Sequence, residues 1–191
     1  MLMPVGPLPS RTGVGEMGAE AYHFLTLLKE SGIKIWQILP MNPVGYGNSP
    51  YQPYSSCAGD ELYISLDTLY EEGLLKERPE GFHEYATKVD YEAVRLHKEP
   101  YLREAFQTFL TSGGCETKDY QEFADQSWVY EYGAFRALKK ANGGCCWNEW
   151  KQEDKMWPDA RTDLATELET EVQYHMVLTY VFFSPWMQLK E

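Results

Sequence analysis

The chain has 191 residues and a formal net charge of −12, because 29 Asp and Glu outnumber 17 Lys and Arg. This sign argues against a nucleic-acid partner, whose phosphates require basic patches, and against an anionic membrane surface. Apolar residues make up 43% of the chain, which is enough for a packed core. The aromatic share of 15% fits either an ordinary core or platforms on which sugar rings stack.

Targeting and redox features of the sequence indicate a cytoplasmic location. No run reaches the roughly 18 apolar residues that cross a bilayer. The start lacks a basic segment followed by an apolar one, so no signal peptide is visible. The four cysteines show no CxxC spacing and no histidines at zinc-ligand offsets, so we expect free thiols and neither metal nor cofactor. A disulfide from Cys115 to Cys145 or Cys146 is the alternative.

The first sixty residues predict a helix, a strand and a long loop. Apolar residues at helical spacing, followed by Gly32, predict a helix over residues 18–31. Residues 33–39 (Ile-Lys-Ile-Trp-Gln-Ile-Leu) predict a short buried strand that ends at Pro40. Residues 41–56 combine prolines, glycines and tyrosines with no charged side chain, so they predict an ordered loop at the end of that strand.

The remainder of the chain is acidic and predicts a series of helices. Asp67 and Gly73 mark the ends of a helix over residues 66–75, and Asp90 caps a helix that ends at Pro100. A second helix begins at Pro100, and Pro185 should kink or break the last helix. The predicted helices here are 66–75, 90–97, 100–110, 117–126, 128–141 and 163–190.

The sequence gives little support for a nucleotide site, for a catalytic carboxylate pair or for a histidine paired with a nucleophile. Residues 13–18 contain Gly-x-Gly-x-x-Gly, but no strand precedes them, so a turn ahead of a helix explains the glycines better than a nucleotide site. The carboxylates lie mostly on helical patterns, where charges usually face solvent. The histidines show no serine or cysteine partner, so we expect surface or core positions for them. These histidines are His23, His83, His97 and His175.

The loop over residues 46–52 is the most distinctive candidate site. Tyrosine rings can stack on sugar rings, while amide and hydroxyl groups can pair with sugar hydroxyls. A neutral carbohydrate requires such an aromatic, polar and uncharged surface. A proline-braced structural loop explains the same composition equally well, and the residues alone leave both interpretations open.

A series of ordered motifs carries a resemblance to a known family over essentially the whole chain. The motifs are Leu8-Pro9-Ser10 and residues 13–18, 36–40, 45–52 (Gly-Tyr-Gly-Asn-Ser-Pro-Tyr-Gln), 55–59, 63–67, 132–139, 147–150 and 181–190. Together they resemble the N-terminal part of the 4-α-glucanotransferases, the amylomaltase or disproportionating-enzyme family. The resemblance implies transfer of α-1,4-glucan segments between maltodextrin chains through a covalent intermediate.

The resemblance also implies an α/β fold, the N-terminal portion of a (β/α)₈ barrel with a mainly helical insertion. Residues 1–66 would hold the first strand and the glucan-contacting loop, 67–162 the insertion, and 163–191 the helix leading to a second strand. Because a barrel takes about 250 residues, we expect an incomplete barrel. The family's catalytic carboxylates would lie beyond Glu191, so the chain alone should be inactive.

The family's sugar contacts carry over to the loop residue by residue. Ser49 and Tyr51 match positions that contact the donor sugar beside the cleavage point, and Tyr46 matches a tyrosine of a secondary glucan site. Asn48 and Gln52 are candidates through the motif only. The leading hypothesis is therefore the glucan-contacting part of a glucanotransferase, and the alternative is a non-catalytic module that binds α-glucans. Another barrel glycosidase with the same loop is a third, weaker interpretation, and the sequence identifies no protein partner.

Overall fold

The computed structural model describes residues 1–82, 88–157, 164 and 166–190, and it is mainly helical. Short 3₁₀ turns at Tyr46–Asn48, Glu61–Tyr63, Gly114–Glu116 and Trp147–Glu149 interrupt the loops. None of the helices that the structure describes combines the length and hydropathy needed to cross a bilayer. The α-helices are α1 (Ala19–Glu30), α2 (Leu66–Glu71), α3 (Tyr91–Thr111), α4 (Lys118–Ala124), α5 (Ser127–Ala141), α6 (Gln152–Lys155) and α7 (Thr166–Lys190).

The predicted strand over residues 33–39 does not form a regular ladder. Its pairing within the described residues is a single parallel bridge between Leu2 and Gln37. The Gln37 N–H donates to the Met1 carbonyl at 2.8 Å, and the Met3 N–H donates to the Gln37 carbonyl at 2.9 Å. A buried parallel strand needs partners along its length, and here the two extended segments meet at one point, so Ile35 is 74% exposed.

Several helix ends follow local signals that the sequence displays. The glycine-rich segment 13–18 forms turns ahead of α1, as predicted, and Gly18 is the N-cap. The Asp90 carboxylate accepts from the Glu92 and Ala93 amides at the start of α3. Helix α2 is capped by the hydroxyl of Ser65 instead of Asp67 and ends before Gly73, whose φ is 76°.

The prediction that Pro100 separates two helices was wrong, and Pro185 does not break the last helix. Helix α3 continues through Pro100 instead of dividing into two helices. The carbonyl that loses its partner to Pro100 belongs to Leu96, which is 70% exposed, so water can satisfy it. Helix α7 likewise continues through Pro185 without a break. In both helices, tertiary packing on both sides of the proline outweighs one lost hydrogen bond.

One apolar core connects the N-terminal segment with the helices. Close approach of α5 and α7 depends on Gly133, where an added Cβ would lie 2.9 Å from the Val172 carbonyl oxygen. The division at residues 66 and 162 stays a prediction. The buried core side chains include Val5, Leu8, Met17, Leu66, Leu69, Leu102, Phe106, Tyr120, Tyr174, Leu178 and Phe182.

Candidate functional site

Residues 43–54 form a short hairpin, which we call hairpin 43–54. Its base is an antiparallel bridge between Val44 and Pro53. The Tyr54 N–H donates to the Pro43 carbonyl at 2.8 Å, and the Gly45 N–H donates to the Gln52 carbonyl at 3.4 Å. The loop predicted from composition is therefore ordered by backbone pairing, which brings its two sides together.

Two left-handed residues turn the chain at the tip of hairpin 43–54. Gly47 has a φ of 79° and Asn48 a φ of 50°. Among non-glycine residues, asparagine is one of the few that adopt this region readily. A second turn follows, in which the Gln52 N–H donates to the Ser49 carbonyl at 3.1 Å and the Tyr51 N–H lies 3.4 Å from the Ser49 hydroxyl. Two consecutive turns therefore define the backbone conformation of the tip.

The structure places the predicted sugar-contacting residues at this tip. Tyr51 is 72% exposed, so its ring is available to a ligand, and Asn48 and Gln52 are also exposed. Ser49 is partly buried beneath them. The backbone of Tyr46 belongs to the tip turn, while its side chain lies outside the described part of the chain. An exposed ring beside amide groups is a surface on which a sugar can stack and form hydrogen bonds.

Asp60 anchors the base of hairpin 43–54. Its amide donates to the Met41 carbonyl at 2.8 Å, and its carboxylate accepts from the Val44 amide at 3.4 Å. The same carboxylate, only 1% exposed, receives two hydrogen bonds from Arg95 of α3 at 2.8 and 2.6 Å. A bidentate pair of this kind fixes orientation as well as charge, so it holds the hairpin at a defined position against α3.

Glu61 continues this network towards α5. Its two carboxylate oxygens accept from Arg136 at 2.8 and 3.3 Å, and Arg95 lies 3.7 Å away. Arg136 also donates to the Tyr132 hydroxyl at 2.8 Å. Burial by itself would raise the pKa of Glu61, but the charges of Arg136 and Arg95 outweigh it and hold the pKa well below its usual range.

A second cluster surrounds Glu171 on α7. Arg103 donates to both of its carboxylate oxygens at 2.7 and 2.8 Å, and Lys140 lies at 3.0 Å. His175, one turn along α7, has its Nε2 3.3 Å from the same carboxylate. Burial favours the neutral carboxyl, but the neighbouring side chains of His175, Arg103 and Lys140 lower the pKa of Glu171 well below its usual range. The two clusters therefore hold carboxylates that stay ionised.

These two clusters line a cavity of about 310 Å³ between hairpin 43–54 and helices α3, α5 and α7. No local pattern in the sequence predicts this cavity, because Glu61 and Arg136 lie 75 residues apart. A local signal existed on α3, where Arg95, Glu99 and Arg103 follow one another at intervals of four and therefore share a helix face. The expectation that helix charges face solvent is wrong here, and also for Lys98, which is 1% exposed.

The other residues singled out in the sequence lie partly in the core and partly at the surface. Trp150 is buried and donates to the Cys145 carbonyl at 3.2 Å, whereas Trp147 is 55% exposed. His175 lies in the core, and His23 and His97 do not join it; His83 lies outside the described residues. All four cysteines are free. No group of three His, Cys, Asp or Glu among the described residues could hold a metal ion.

Comparisons with known proteins agree over the whole chain. The sequence model of the 4-alpha-glucanotransferase family matches residues 3–191. A 4-alpha-glucanotransferase of Thermus thermophilus is 38% identical over 198 residues, covering 100% of this chain and 38% of that protein. One from Synechocystis is 37% identical over 195 residues, covering 96% of this chain and 37% of that protein.

A solved structure agrees with the sequence relatives. Amylomaltase from Streptococcus agalactiae, in complex with acarbose, superposes with a TM-score of 0.87 at 30% identity, covering 100% of this chain and 39% of that one. The chain thus spans about 38% of the length of the curated relatives that it matches. Because the family model matches residues 3–191 and the fold is shared with an amylomaltase, this chain belongs to the 4-alpha-glucanotransferase family.

Proposed function

We propose that this chain binds an α-1,4-glucan donor during glucan transfer, and that the tip of hairpin 43–54 is the contact surface. The observation that carries the proposal is a hairpin without charged side chains that presents Tyr51 at 72% exposure, within a chain matched by the family over residues 3–191. Ser49, Asn48 and Gln52 supply hydroxyl and amide groups beside that ring, and Tyr46 belongs to the same turn.

The proposal assigns no catalytic residue within these 191 residues. Retaining glycosyl transfer uses two carboxyl groups, one of which must hold a proton to give to the leaving group. The carboxylates at the base of the hairpin, Asp60 and Glu61, are both held by arginines. The lowered pKa of Glu61 suits an ion pair and not a general acid. We therefore assign neither the nucleophile nor the acid/base to these two carboxylates.

The proposal includes the (β/α)₈ barrel of the family. The parallel pairing between Leu2 and Gln37 supports it, since barrel strands run parallel and hairpin 43–54 follows the second segment at its carboxyl end. Loops at that end of barrel strands form the active sites of such enzymes. The free thiols of the four cysteines support a reducing, cytoplasmic setting.

Titration of the purified chain with maltoheptaose, followed by calorimetry, tests the glucan contact. Tyr51→Ala should weaken the binding about fivefold, because a stacked ring contributes about 1 kcal/mol, while Tyr51→Phe should retain most of the affinity. Tyr70→Ala is the matched control, since Tyr70 is an exposed tyrosine of α2. Saturable binding that Tyr51→Ala leaves unchanged would contradict the assignment of the tip.

The second candidate function is glucan binding without transfer. The observation in its favour is the continuous core that joins Val5 to Phe182, which lets this chain fold around the hairpin. Incubation with maltotriose tests whether the chain alone transfers glucan. We expect no glucose and no longer maltodextrins from the chain alone, and their release would show that the 191 residues contain the transfer machinery.

A further inference from the structure

The cavity between hairpin 43–54 and helices α3, α5 and α7 concentrates positive charge in an acidic chain. Five of the 17 Lys and Arg residues line this volume of about 310 Å³, against three carboxylates. We call it the basic cavity. Including Asp60, which pairs with Arg95 from behind the wall, the cations remain in excess although the chain carries −12. The five cationic residues are Arg95, Arg103, Arg136, Lys139 and Lys140.

The three carboxylates of the basic cavity are already occupied by the wall itself. Glu61 uses both oxygens to accept from Arg136, and Glu171 uses both to accept from Arg103. Glu99 accepts from Arg103 at 2.8 Å and from the Tyr174 hydroxyl at 3.4 Å. Their charges are therefore compensated locally. Because Lys140 also pairs with Glu171 at 3.0 Å, Lys139 is the source of uncompensated charge.

Among the described residues that line the basic cavity, Lys139 is the cation that has no acidic partner. Its Nζ donates to the carbonyls of Gly144 at 2.9 Å and Cys145 at 3.1 Å. Among residues that the structure describes, no carboxylate lies within 4.0 Å of it. An ammonium group has three donors, so one remains for a ligand. This lysine therefore presents at the cavity a positive charge that no described carboxylate compensates, with the Tyr54 ring centroid 4.9 Å from its Nζ.

His175 supplies a second and independent sign of a missing ligand. Its side chain is 5% exposed, and its Nε2 is buried and has no hydrogen-bond partner. The Glu171 oxygen at 3.3 Å lies outside hydrogen-bond geometry. Buried ring nitrogens are rarely left unpaired, and a group in the cavity would satisfy this one. With the proton on Nε2, the ring donates to an oxygen atom of that group.

We propose that the basic cavity binds a small anion that carries a phosphate group, either inorganic phosphate or a sugar phosphate ester. A tetrahedral oxyanion accepts from several directions, which matches donors arriving from Lys139 on α5, His175 on α7 and the arginine forks. The volume exceeds that of a phosphate group, so an ester has room for its sugar. This binding does not depend on the glucan contact at the hairpin tip.

Thermal unfolding of the full chain tests the proposal, with potassium phosphate, glucose 1-phosphate and maltose added separately against potassium chloride of equal ionic strength. A ligand of the folded state raises the Tm in a saturable way. We expect that rise with phosphate or with glucose 1-phosphate, and which of the two binds more tightly identifies the source of the phosphate group. Maltose is neutral and controls for binding at the hairpin tip, so any rise that it gives should be the same in the parent and in Lys139→Gln.

Lysine variants test whether the phosphate probe binds in the basic cavity. Lys139→Gln should weaken binding of the phosphate probe about tenfold, because it removes a charge-assisted hydrogen bond, and Lys140→Gln should weaken it less. Lys118→Gln is the matched control, since its side chain is 85% exposed and pairs only within α4. The His175 ring nitrogen resonances should also shift with phosphate. No saturable rise with either anion, a rise that Lys139→Gln leaves unchanged, or unmoved His175 resonances would each overturn the proposal.

Discussion

The ammonium nitrogen of Lys139 lies 4.9 Å from the centroid of the Tyr54 ring. Tyr54 closes hairpin 43–54, and Lys139 stands near the end of α5. Phe135, one turn earlier on α5, also contacts the tyrosine, with ring centroids 6.0 Å apart. The hairpin is therefore docked on α5 through one tyrosine, which joins the candidate glucan contact to the helical part of the chain.

Replacing Tyr54 should loosen the hairpin without unfolding the chain. A cation–π contact near the surface contributes about 0.5–1 kcal/mol, so Tyr54→Leu should speed hydrogen exchange of the Gln52 and Tyr54 amides about two- to fivefold. Tyr54→Phe keeps the ring and should leave those rates close to the parent. Hydrogen exchange measured by NMR tests this prediction. Equal exchange rates in Tyr54→Leu and the parent would show that the contact of Tyr54 with α5 does not stabilise the hairpin.

Lys98 should be among the most sensitive positions for stability. Its buried ammonium donates to Glu16 at 2.6 Å and to the carbonyls of Leu62 at 2.7 Å and Ile64 at 2.6 Å. Lys98→Met leaves the buried Glu16 carboxylate without a cation, with the Thr12 hydroxyl still donating to it, and leaves two carbonyls without their donor. This should cost about 3–5 kcal/mol in the free energy of unfolding. Urea denaturation measures the loss.

The control for Lys98 is Lys118→Met, an exposed lysine whose loss should change stability by less than about 0.5 kcal/mol. The double variant Lys98→Met with Glu16→Gln should recover part of the loss, because it removes the stranded charge. A Lys98→Met variant as stable as Lys118→Met would show that Glu16 finds another partner.

Stability should fall between pH 7.5 and pH 5.5 through His175. Burial lowers the pKa of His175 in the folded chain, whereas the unfolded value is about 6.5. The ring faces Glu171 on its own helix, Arg136 on α5 and Glu61 on the neighbouring 3₁₀ turn. Below pH 6.5 His175 binds a proton in the unfolded chain but stays neutral in the folded chain. The free energy of unfolding therefore decreases as the pH falls.

Urea midpoints of the parent and of His175→Gln, measured in phosphate-free buffer at both pH values, check this prediction. The parent should lose more stability than the variant over this interval. His23→Gln is the matched control, because His23 is exposed on α1. Equal pH dependence in the parent and in His175→Gln would assign the effect to other groups.

Gly59 should not tolerate a side chain. A Cβ at this position would lie 2.0 Å from the Phe182 ring of α7, and Phe182 is buried in the core. Gly59→Ala should therefore destabilise the chain by about 1–3 kcal/mol through overpacking. Gly32→Ser provides a contrast, since no atom lies within 4 Å there and its cost comes from the φ of 73° alone. A Tm for Gly59→Ala equal to that of the parent would contradict the packing argument.

Local signals account for the elements that the sequence predicted well. Asp90 accepts from helix amides where capping was expected, and Thr117, the first residue of a predicted helix, caps α4. Asn142 with Gly143 and Gly144 ends α5, because both glycines adopt positive φ. The loop was also foreseen as ordered, although its hairpin pairing was not. The glucan contacts of Ser49 and Tyr51 stay a prediction that rests on the family motif.

Non-local contacts account for what was missed. Helix α3 continues through Pro100 because packing on both sides outweighs one hydrogen bond. Lys98 stands at helical spacing between Val94 and Leu102, yet only the fold brings Glu16 and two carbonyls to it. The basic cavity likewise joins residues from four separate segments, which no local pattern reports.

By itself, the sequence determined the family, the capped helices and the uncharged aromatic tip, because each depends on residues close together in the chain. The tertiary structure decided which charges are buried, which carboxylates stay ionised and how Tyr54 docks on α5. Those properties depend on the distance between groups that lie far apart in the chain, such as Lys98 and Glu16, which are 82 residues apart. Coulomb energy and desolvation act through space, so they become defined only when the segments are packed.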